Sequence, residues 1–594
     1  MKIKLMLFIL IMAFSYGDYQ QILHNSWVHY KKEKIEVGGR PLADKDKDNV
    51  SSSKGQELTY SETVSYILYR AVLINDKKTF DDVWCWAESK LLRKNLDKVF
   101  NWAESRWDSV PENKRDYLFA WRFTPNIKKT NMGGIIYVPE EAMSKYANKN
   151  GFDVAPDGDQ LIAGALIMAH NKWGSRKGVY NYLGYAKNIV NDIWEQCVSV
   201  RTSGIIDDFE NGSALSKWFV FYDTNGKLQK NIEDAGGSKF LVVDSFNTKW
   251  YGIGKYLGNY DLSSAESLCF STKQNNGTKI IFEDVSGKKK TLELRYAYKE
   301  GFSEERLTLP VNDKDGFNWQ AVKNLMFQPL EDSFTLDNVR IEYKGAKNGR
   351  TYYLFANDRG DPWLNISYYM PFLYESFAKL DPKHPWRDLF KDSLQQINDS
   401  KYAVLKNNKG EVFTGIGALV PDWCMVDARN NLKDIPWGKD GSVDGYLHSW
   451  DAFRTWYFLG LTYTLYPYEE VEKVIKGKSL EFFTNKLFKE DKLVGGYAID
   501  GTCPDIRGIQ YEYPSAYGVY LSYFTAVSQE KAQLKVLDKL DKMYNKKGYW
   551  GNDPQDYYKQ NWAWIGLEFY ENKGGETAKL LKIEDAEVLV NKIN

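Results

Sequence analysis

The sequence predicts a mainly α protein whose helical region is interrupted by a β-rich insert. Three observations carry this. Apolar residues recur at helical spacing over residues 58–203 and again over 346–594. Between them, over 204–345, the pattern changes to short β-rich runs broken by Gly, Asn and Asp. The chain has 594 residues, too many for one ordinary core.

At the start, Lys2 and Lys4 precede an apolar run from Leu5 to Phe14, and Ser15-Tyr16-Gly17 offers small residues at the cleavage-critical positions. Residues 1–17 therefore read as a signal peptide, and the mature protein as secreted, extracellular or periplasmic. The run is too short to span a bilayer, and no other stretch qualifies as a membrane helix. Residues 18–57 are polar and read as an N-terminal extension and linker, with DKDKDNVSSS at 44–53 a solvated loop.

The first helical part then occupies 58–203. LTYSETVSYILYRAVLI reads as a helix opened by Thr59 or Ser61, and Asn75-Asp76 ends it. Thr79 caps a second helix, FDDVWCWAESKLL, with Asp82 in the capping-box position, giving an αα-hairpin. A third helical run contains Asp116 to Trp121. The stretch that organises the rest is Val154 to Trp173, VAPDGDQLIAGALIMAHNKW. Its apolar residues fall on nearly every side of a helix, so it should be buried, with Asp157 and Asp159 at its positive dipole end. Acids there also serve as ordinary caps. Tyr182 to Val198 follows as another helix, and the first two hundred residues read as helical.

From IIDDFENG to TLDNVRIEY, six or more short strands indicate a β-sandwich of roughly 140 residues, an ordinary domain size. Helices return at NISYYMPFLYESFAKL, WDAFRTWYFLGLTYTLY, YPSAYGVYLSYFTAV and YYKQNWAWIGLEFY. The simplest organisation is one helical domain, 58–203 with 346–594, into which 204–345 is inserted at a surface loop.

Net charge is zero and basic residues do not cluster, which excludes nucleic acid as a partner. Aromatic residues reach 15% of the chain, with 20 Trp and 41 Tyr. That excess fits sugar binding, because flat amphipathic rings pack on pyranose faces. Five scattered cysteines form no metal spacing and no disulfide framework; one bridge is possible, with no pairing legible.

Five ordered segments resemble glycoside hydrolase family eight, inverting enzymes acting on β-glucans, chitosan and xylan. SETVSY at Ser61 is similar to the family's S-E-G-x-x-Y, APDGDQLIAGALIMAHNKW at Ala155 to A-[ST]-D-[AG]-D with its apolar helix, and WDAFR at Trp450 to Y-D-A-x-R. NISYYMP at Asn365 resembles the family segment that supplies a substrate-side Tyr, and ALVPDW at Ala418 also occurs in the family. The resemblance covers about residues 58–200 and 350–572 and implies an (α/α)6 barrel. It departs at Thr63 (usually Gly), at Trp450 (usually Tyr) and at Pro156 (usually Ser or Thr), the last being associated with the xylan-active branch. None of these removes a carboxylate.

The resemblance implies Glu62 as general acid and Asp451 as general base, with Asp157 a third acid on the distorted sugar. Inversion requires acid and base roughly 6.5–9.5 Å apart, so that a water fits beside the anomeric carbon. Partial burial of Glu62 is expected to raise its pKa. Arg454, three residues beyond Asp451, is expected on the same helical face, holding that carboxylate ionised. Asp159 shares or supports the role of Asp157, and Trp121, Tyr368, Tyr369 and Trp450 are the candidates for sugar contact. Asp422 and Asp427 are possible supporting acids.

The insert's ends, DDFENG and LDNVRI, resemble those of carbohydrate-binding jelly-roll modules, where such termini often hold calcium. Asp208, Glu210 and Asp337 are the candidate ligands of a structural Ca2+, and Trp218, Trp250, Tyr251 and Trp319 the candidate sugar platforms. Catalysis itself needs no cofactor. The expected partner is a polysaccharide or oligosaccharide, with no membrane partner, and the protein is expected to be a monomer. The whole reads as a secreted endo-acting hydrolase of a β-1,4-linked plant polysaccharide, xylan slightly ahead of cellulose or β-glucan. The rivals are a reducing-end xylose-releasing exo-enzyme and a non-catalytic sugar-binding protein.

Overall fold

The computed structural model describes residues 19–43, 59–123 (except 97, 102–105 and 110–114), 127–138 (except 132–133) and 153–582. Within that last stretch it leaves out 203, 211–213, 224–225, 236–237, 264, 274–276, 296–300, 312–314, 344–349, 359, 408, 427–430, 436–444 and 507. The expected signal peptide and solvated loop, and Asp427, lie outside the described residues. No helix among those described is long and apolar enough to cross a membrane.

The expected linker is in part a helix. Residues 19–34 form α1, because Leu23, Trp27 and Tyr30 recur at spacings of four and three and bury one face. Trp27 and Tyr30 lie against the Arg70 guanidinium, 4.8 and 4.5 Å from its carbon. Trp564 Nε1 donates to the Leu23 carbonyl at 2.9 Å. A polar composition had hidden a narrow apolar stripe.

The helices that follow come mostly in pairs: α2 (Ser61–Leu73) with α3 (Lys77–Lys90), and α4 (Pro156–Trp173) with α5 (Tyr182–Cys197). After the insert come α6 (Pro371–Leu380) with α7 (Trp386–Ser400), then α8 (Arg454–Leu465) with α9 (Glu469–Ile475) and α10 (Lys478–Lys489). The chain closes with α11 (Pro514–Ala526), α12 (Glu530–Met543), α13 (Tyr557–Asn572) and α14 (Gly575–Leu580).

Helices α2, α4, α6, α8, α11 and α13 are buried on nearly every side, whereas α3, α5, α7 and α12 bury one stripe only. The buried helices pack in succession. Gln160 of α4 donates to the Tyr368 carbonyl just before α6 at 2.7 Å. Phe372 of α6 stacks on Phe458 of α8 at 5.8 Å, and Trp456 of α8 meets Tyr523 of α11 at 5.3 Å. Helices α11 and α13 touch backbone to backbone: a Cβ on Gly518 would sit 2.1 Å from the Trp562 carbonyl oxygen, so only glycine permits this crossing. Trp562 of α13 returns to α2 by donating to the Tyr66 hydroxyl at 3.2 Å.

Two expectations for the first two hundred residues are corrected. Asp116 to Trp121 is not helical, and strand pairs run Lys98–Asn101 with Arg106–Ser109 and Ile127–Asn131 with Gly134–Val138. The β-branched and aromatic run Ile135-Ile136-Tyr137-Val138 was the legible signal for the second pair. The cap of α3 is Asp76, whose carboxylate accepts from the Thr79 amide at 3.1 Å, rather than Thr79 itself. All five cysteines are unbridged.

The β-rich insert leaves and re-enters the helical part at one place. Strand β1 (Val198–Thr202) precedes it. Its own strands are β2 (Ile205–Asp207), β3 (Trp218–Tyr222), β4 (Lys227–Ala235), β5 (Ser238–Phe246), β6 (Tyr251–Tyr260), β7 (Ala265–Thr272), β8 (Thr278–Asp284), β9 (Lys289–Leu294), β10 (Ser303–Thr308), β11 (Val322–Pro329) and β12 (Ser333–Tyr343). Strand β13 (Arg350–Leu354) then pairs antiparallel with β1, Leu354 opposite Val198. One antiparallel sheet runs β4-β5-β12-β7-β10 with β2 on β12, the other β9-β8-β11-β6-β3. They share a core: Phe327 of the second sheet lies 5.1 Å from Phe270 and 6.0 Å from Phe334 of the first.

Candidate active site

The N-terminal ends of all six buried helices contribute to one place. Glu62 is the second residue of α2, Asp157 the second of α4 and Arg454 the first of α8. Ser367 and Tyr368 precede α6, Tyr513 precedes α11, and Tyr557 begins α13. Positive dipole ends converging there favour a group of carboxylates. The Trp121 segment fixes how α2 and α4 approach. Its carbonyl accepts from the Ser61 amide, and its amide donates to the Asp153 carbonyl, both at 3.0 Å.

Arg454 is the hub. Its Nη1 donates to Glu62 Oε1, to Asp157 Oδ2 at 3.0 Å and to the Tyr66 hydroxyl at 3.2 Å. Its Nη2 donates to Asp451 Oδ1 and to Ser367 Oγ, each at 2.8 Å. The guanidinium is buried and lies 5.8 Å from the centre of the Tyr368 ring. Asp451 is not on the helix with Arg454, as expected from the spacing, but in the turn preceding it. The pair forms across the helix start.

Asp451 is the most open of the three acids, 36% exposed, and Glu62 is 19% exposed. The second oxygen of Asp451 accepts from Trp423 Nε1 at 3.0 Å. Its turn is pinned from beneath by buried Asp422, which accepts from the Ser449 amide at 2.9 Å, the Ala452 amide at 2.8 Å and the Ser449 hydroxyl. Burial and the Asp451 charge push Asp422 up to about 7, against those three bonds.

Glu62 is partly buried, as expected. It accepts from the hydroxyls of Tyr66 and Tyr557, each at 2.8 Å, as well as from Arg454. Asp157 is pushed up to about 7. Burial is the main cause, Arg454 opposes it and the Glu62 charge adds to it.

The other expected residues divide. Asp159 is fully buried and turns away: its Oδ1 accepts from the Phe119 amide at 2.8 Å, so it braces the segment under α4. Tyr369 is a core residue, with its ring buried and its hydroxyl donating to Gln396, and cannot stack on a sugar. Tyr368 is largely buried beside Arg454 and meets Trp423 edge-on at 5.8 Å. Trp121 is half-buried and stacks on Tyr60 at 5.7 Å, and Trp450 is half-buried against Tyr513 at 4.7 Å.

Residues outside the expected set are Tyr66, Tyr557, Ser367 and Trp423, and Asp422 gains a definite contact. Tyr66 stands four residues after Glu62, so helix spacing could have found it. Nothing in the sequence could pair Tyr557 with Glu62.

In the insert, Trp218, Tyr251 and Trp319 are core, and only Trp250 is exposed, at 46%. Asp337 is pushed up to about 6 by burial and by the charges of Glu210 and Asp208, so the three acids do face one another. Yet Glu210 already accepts from the Lys239 amide at 3.0 Å and the Ser238 hydroxyl at 3.3 Å. Among the described residues no group of three His, Cys, Asp or Glu is arranged to hold a metal.

Comparison with known proteins gives matches over parts of the chain. The family model for glycosyl hydrolases family 8 matches residues 2–118, a span that contains Glu62 but neither Asp157 nor Asp451. Endoglucanase A of Acetivibrio thermocellus is 24% identical over 270 residues, 44% of this chain and 42% of that protein. A reducing-end xylose-releasing exo-oligoxylanase of Paenibacillus barcinonensis is 26% identical over 137 residues, 23% of this chain and 26% of that protein. Among solved structures, a β-1,3-1,4-glucanase from Paenibacillus sp. X4 aligns with a TM-score of 0.48 and 12% identity, covering 94% of this chain and 92% of that one. The chain spans less than half the length of the curated relatives it matches first.

Proposed function

We propose that this chain is a family-eight glycoside hydrolase on an (α/α)6 barrel, exported, inverting and endo-acting on a β-1,4-linked plant polysaccharide, with xylan ahead of cellulose and β-glucan. The observation that carries the reading is the single buried guanidinium of Arg454, which gathers Glu62, Asp157 and Asp451 from three distant parts of the chain.

The chemistry follows from that arrangement. Glu62 and Asp157 both bond Nη1 of Arg454. Glu62, the more accessible of the two, is the acid that gives a proton to the leaving glycosidic oxygen. Asp157 hydrogen-bonds the distorted sugar at the cleavage point. Asp451, with one oxygen on Arg454 and the other on Trp423, is fixed and open, and takes a proton from the attacking water. Acid and base hold opposite nitrogens of one guanidinium, which supports a separation wide enough for that water. Xylan is favoured through Pro156 at the start of α4. A second reading, xylose release from reducing ends, is supported by the likeness to the exo-oligoxylanase.

The test is a substrate panel of xylan, carboxymethylcellulose, lichenan and chitosan, with the first-formed anomer read by NMR. Inverted product of mixed length is expected; xylose alone marks the second reading. Glu62→Gln should lower turnover by about 10²–10⁴-fold with an unchanged circular dichroism spectrum. Wild-type turnover in that variant would end the proposal.

A further inference from the structure

We infer that the outer face of the sheet β9-β8-β11-β6-β3 is a second glycan-binding surface, carried by Phe219, Phe221 and Trp250 and running toward the loop that holds Asp451. This rests on the proposed hydrolase reading for the identity of the ligand, a β-linked polysaccharide chain.

Strand β3 is an edge strand paired only with β6 in its sheet, Phe221 opposite Gly252 and Phe219 opposite Gly254. Those two glycines let the rings lie down across the neighbouring strand. A Cβ on Gly252 would meet Phe221 at 2.2 Å, and one on Gly254 would meet Phe219 at 2.5 Å. Trp250, on the same face by alternation, continues the row, its ring 6.4 Å from Phe221, which is in turn 6.2 Å from Phe219. Phe219 and Trp250 are 38% and 46% exposed, which is unusual for large apolar rings on one face. The Trp250 backbone is held, because its carbonyl accepts from the Asp223 amide at 3.3 Å and the Asp223 carboxylate accepts from the Lys249 amide at 2.7 Å.

Two features select a sugar chain over another apolar surface. The rings lie on glycine backbone, tilted 42° and 46° to one another, and the same face continues through Met326, opposite Gly254, and turns polar with Gln328 and Lys279, which are paired in register. An apolar strip whose rings step in orientation, bordered by hydrogen-bonding groups, suits the successive pyranose rings of a twisted β-linked chain. The strip also leads to the candidate active site. From Gly252, β6 runs about 20 Å to Gly258, which lies against Pro362 and Met425 of the helical part. Met425 stands two residues after Trp423, the partner of Asp451, and Asp261 just beyond β6 pairs with Lys433 at 3.0 Å.

The test compares the full chain with Phe221→Ala/Trp250→Ala. Depletion from solution by insoluble xylan and cellulose should fall at least fivefold, and hydrolysis of those polymers should fall with it. Hydrolysis of short soluble xylo- and cello-oligosaccharides should stay within twofold. Unchanged depletion, a wild type that no polymer depletes, or a parallel fall on oligosaccharides would overturn the inference. So would light scattering showing a wild-type dimer that the variant converts to monomer, since a second copy would then cover the strip. A wild type that binds polymer through these rings and hydrolyses nothing would sink the hydrolase reading and leave the binding surface standing.

Discussion

Trp423 donates its indole N–H to Asp451 at 3.0 Å, on the oxygen that Arg454 leaves free. The carboxylate is thereby fixed about both oxygens while staying open to solvent. Trp423→Phe keeps the ring and removes only the donor. A hydrogen bond to a charged group is worth about 1.5–3 kcal/mol, so kcat on the preferred polymer should fall by about tenfold or more with KM nearly unchanged. Initial rates decide it, and a full kcat in this variant would remove Trp423 from the positioning of Asp451.

Asp422 beneath the same turn gives a pH signature. Its folded value of about 7 stands above the unfolded value near ~3.9, so the folded state keeps a proton that the unfolded state releases. The stability it confers is full below the unfolded value and is lost as pH rises through the folded one. Asp422→Asn removes this titration. Thermal midpoints should decline less between pH 4 and 7 in the variant than in the wild type. Parallel curves would mean that Asp422 stays ionised in the fold.

Much of this arrangement was legible because each acid sits in a local pattern. Glu62 and Asp157 open helices whose apolar residues run all round, and Asp451 precedes another such run; a helix of that kind must be buried, so its first turn is buried with it. What joins them was not legible. Arg454 read as a local partner of Asp451, whereas it spans 392 residues to Glu62 and 297 to Asp157. Asp159 and Tyr369 turn away for one reason: Asp159 stands two residues after Asp157 and Tyr369 one after Tyr368, and a step of one or two residues at a helix start swings a side chain to another side. In the insert, Trp218, Tyr251 and Trp319 were indistinguishable by type from Trp250, and only strand alternation separates core from surface.

Helix α1 makes the mistaken linker testable. Trp27 is buried, with its Nε1 donating to Asp76 at 3.0 Å and its ring beside Arg70. Truncating such a ring costs about 3–5 kcal/mol. Trp27→Ala should therefore lower the urea midpoint markedly. A wild-type midpoint would show that residues 19–34 add nothing to the fold.

His384 should act as a pH-dependent clasp where α5 gives way to the insert. Its Nε2 lies 3.0 Å from Glu195 of α5, its Nδ1 2.5 Å from Asp381, and its ring stacks on Trp194 at 5.1 Å. Burial alone would lower its pKa, but the bonds to Asp381 and Glu195 outweigh it and hold the imidazole above its usual value. Glu195 is held below its own, first through the His384 bond. The signs differ. The His384 contribution is full below ~6.5 and fades as pH rises through its folded value, while that of Glu195 is full above ~4.3 and fades as pH falls through its folded value. Both are present in the interval between, so His384→Gln, which keeps polarity and loses the charge, should cost more at pH 5.5 than at pH 8.5, by on the order of 1 kcal/mol. Denaturant titrations at the two pH values measure it, and equal costs would mean that the imidazole is neutral in the folded protein.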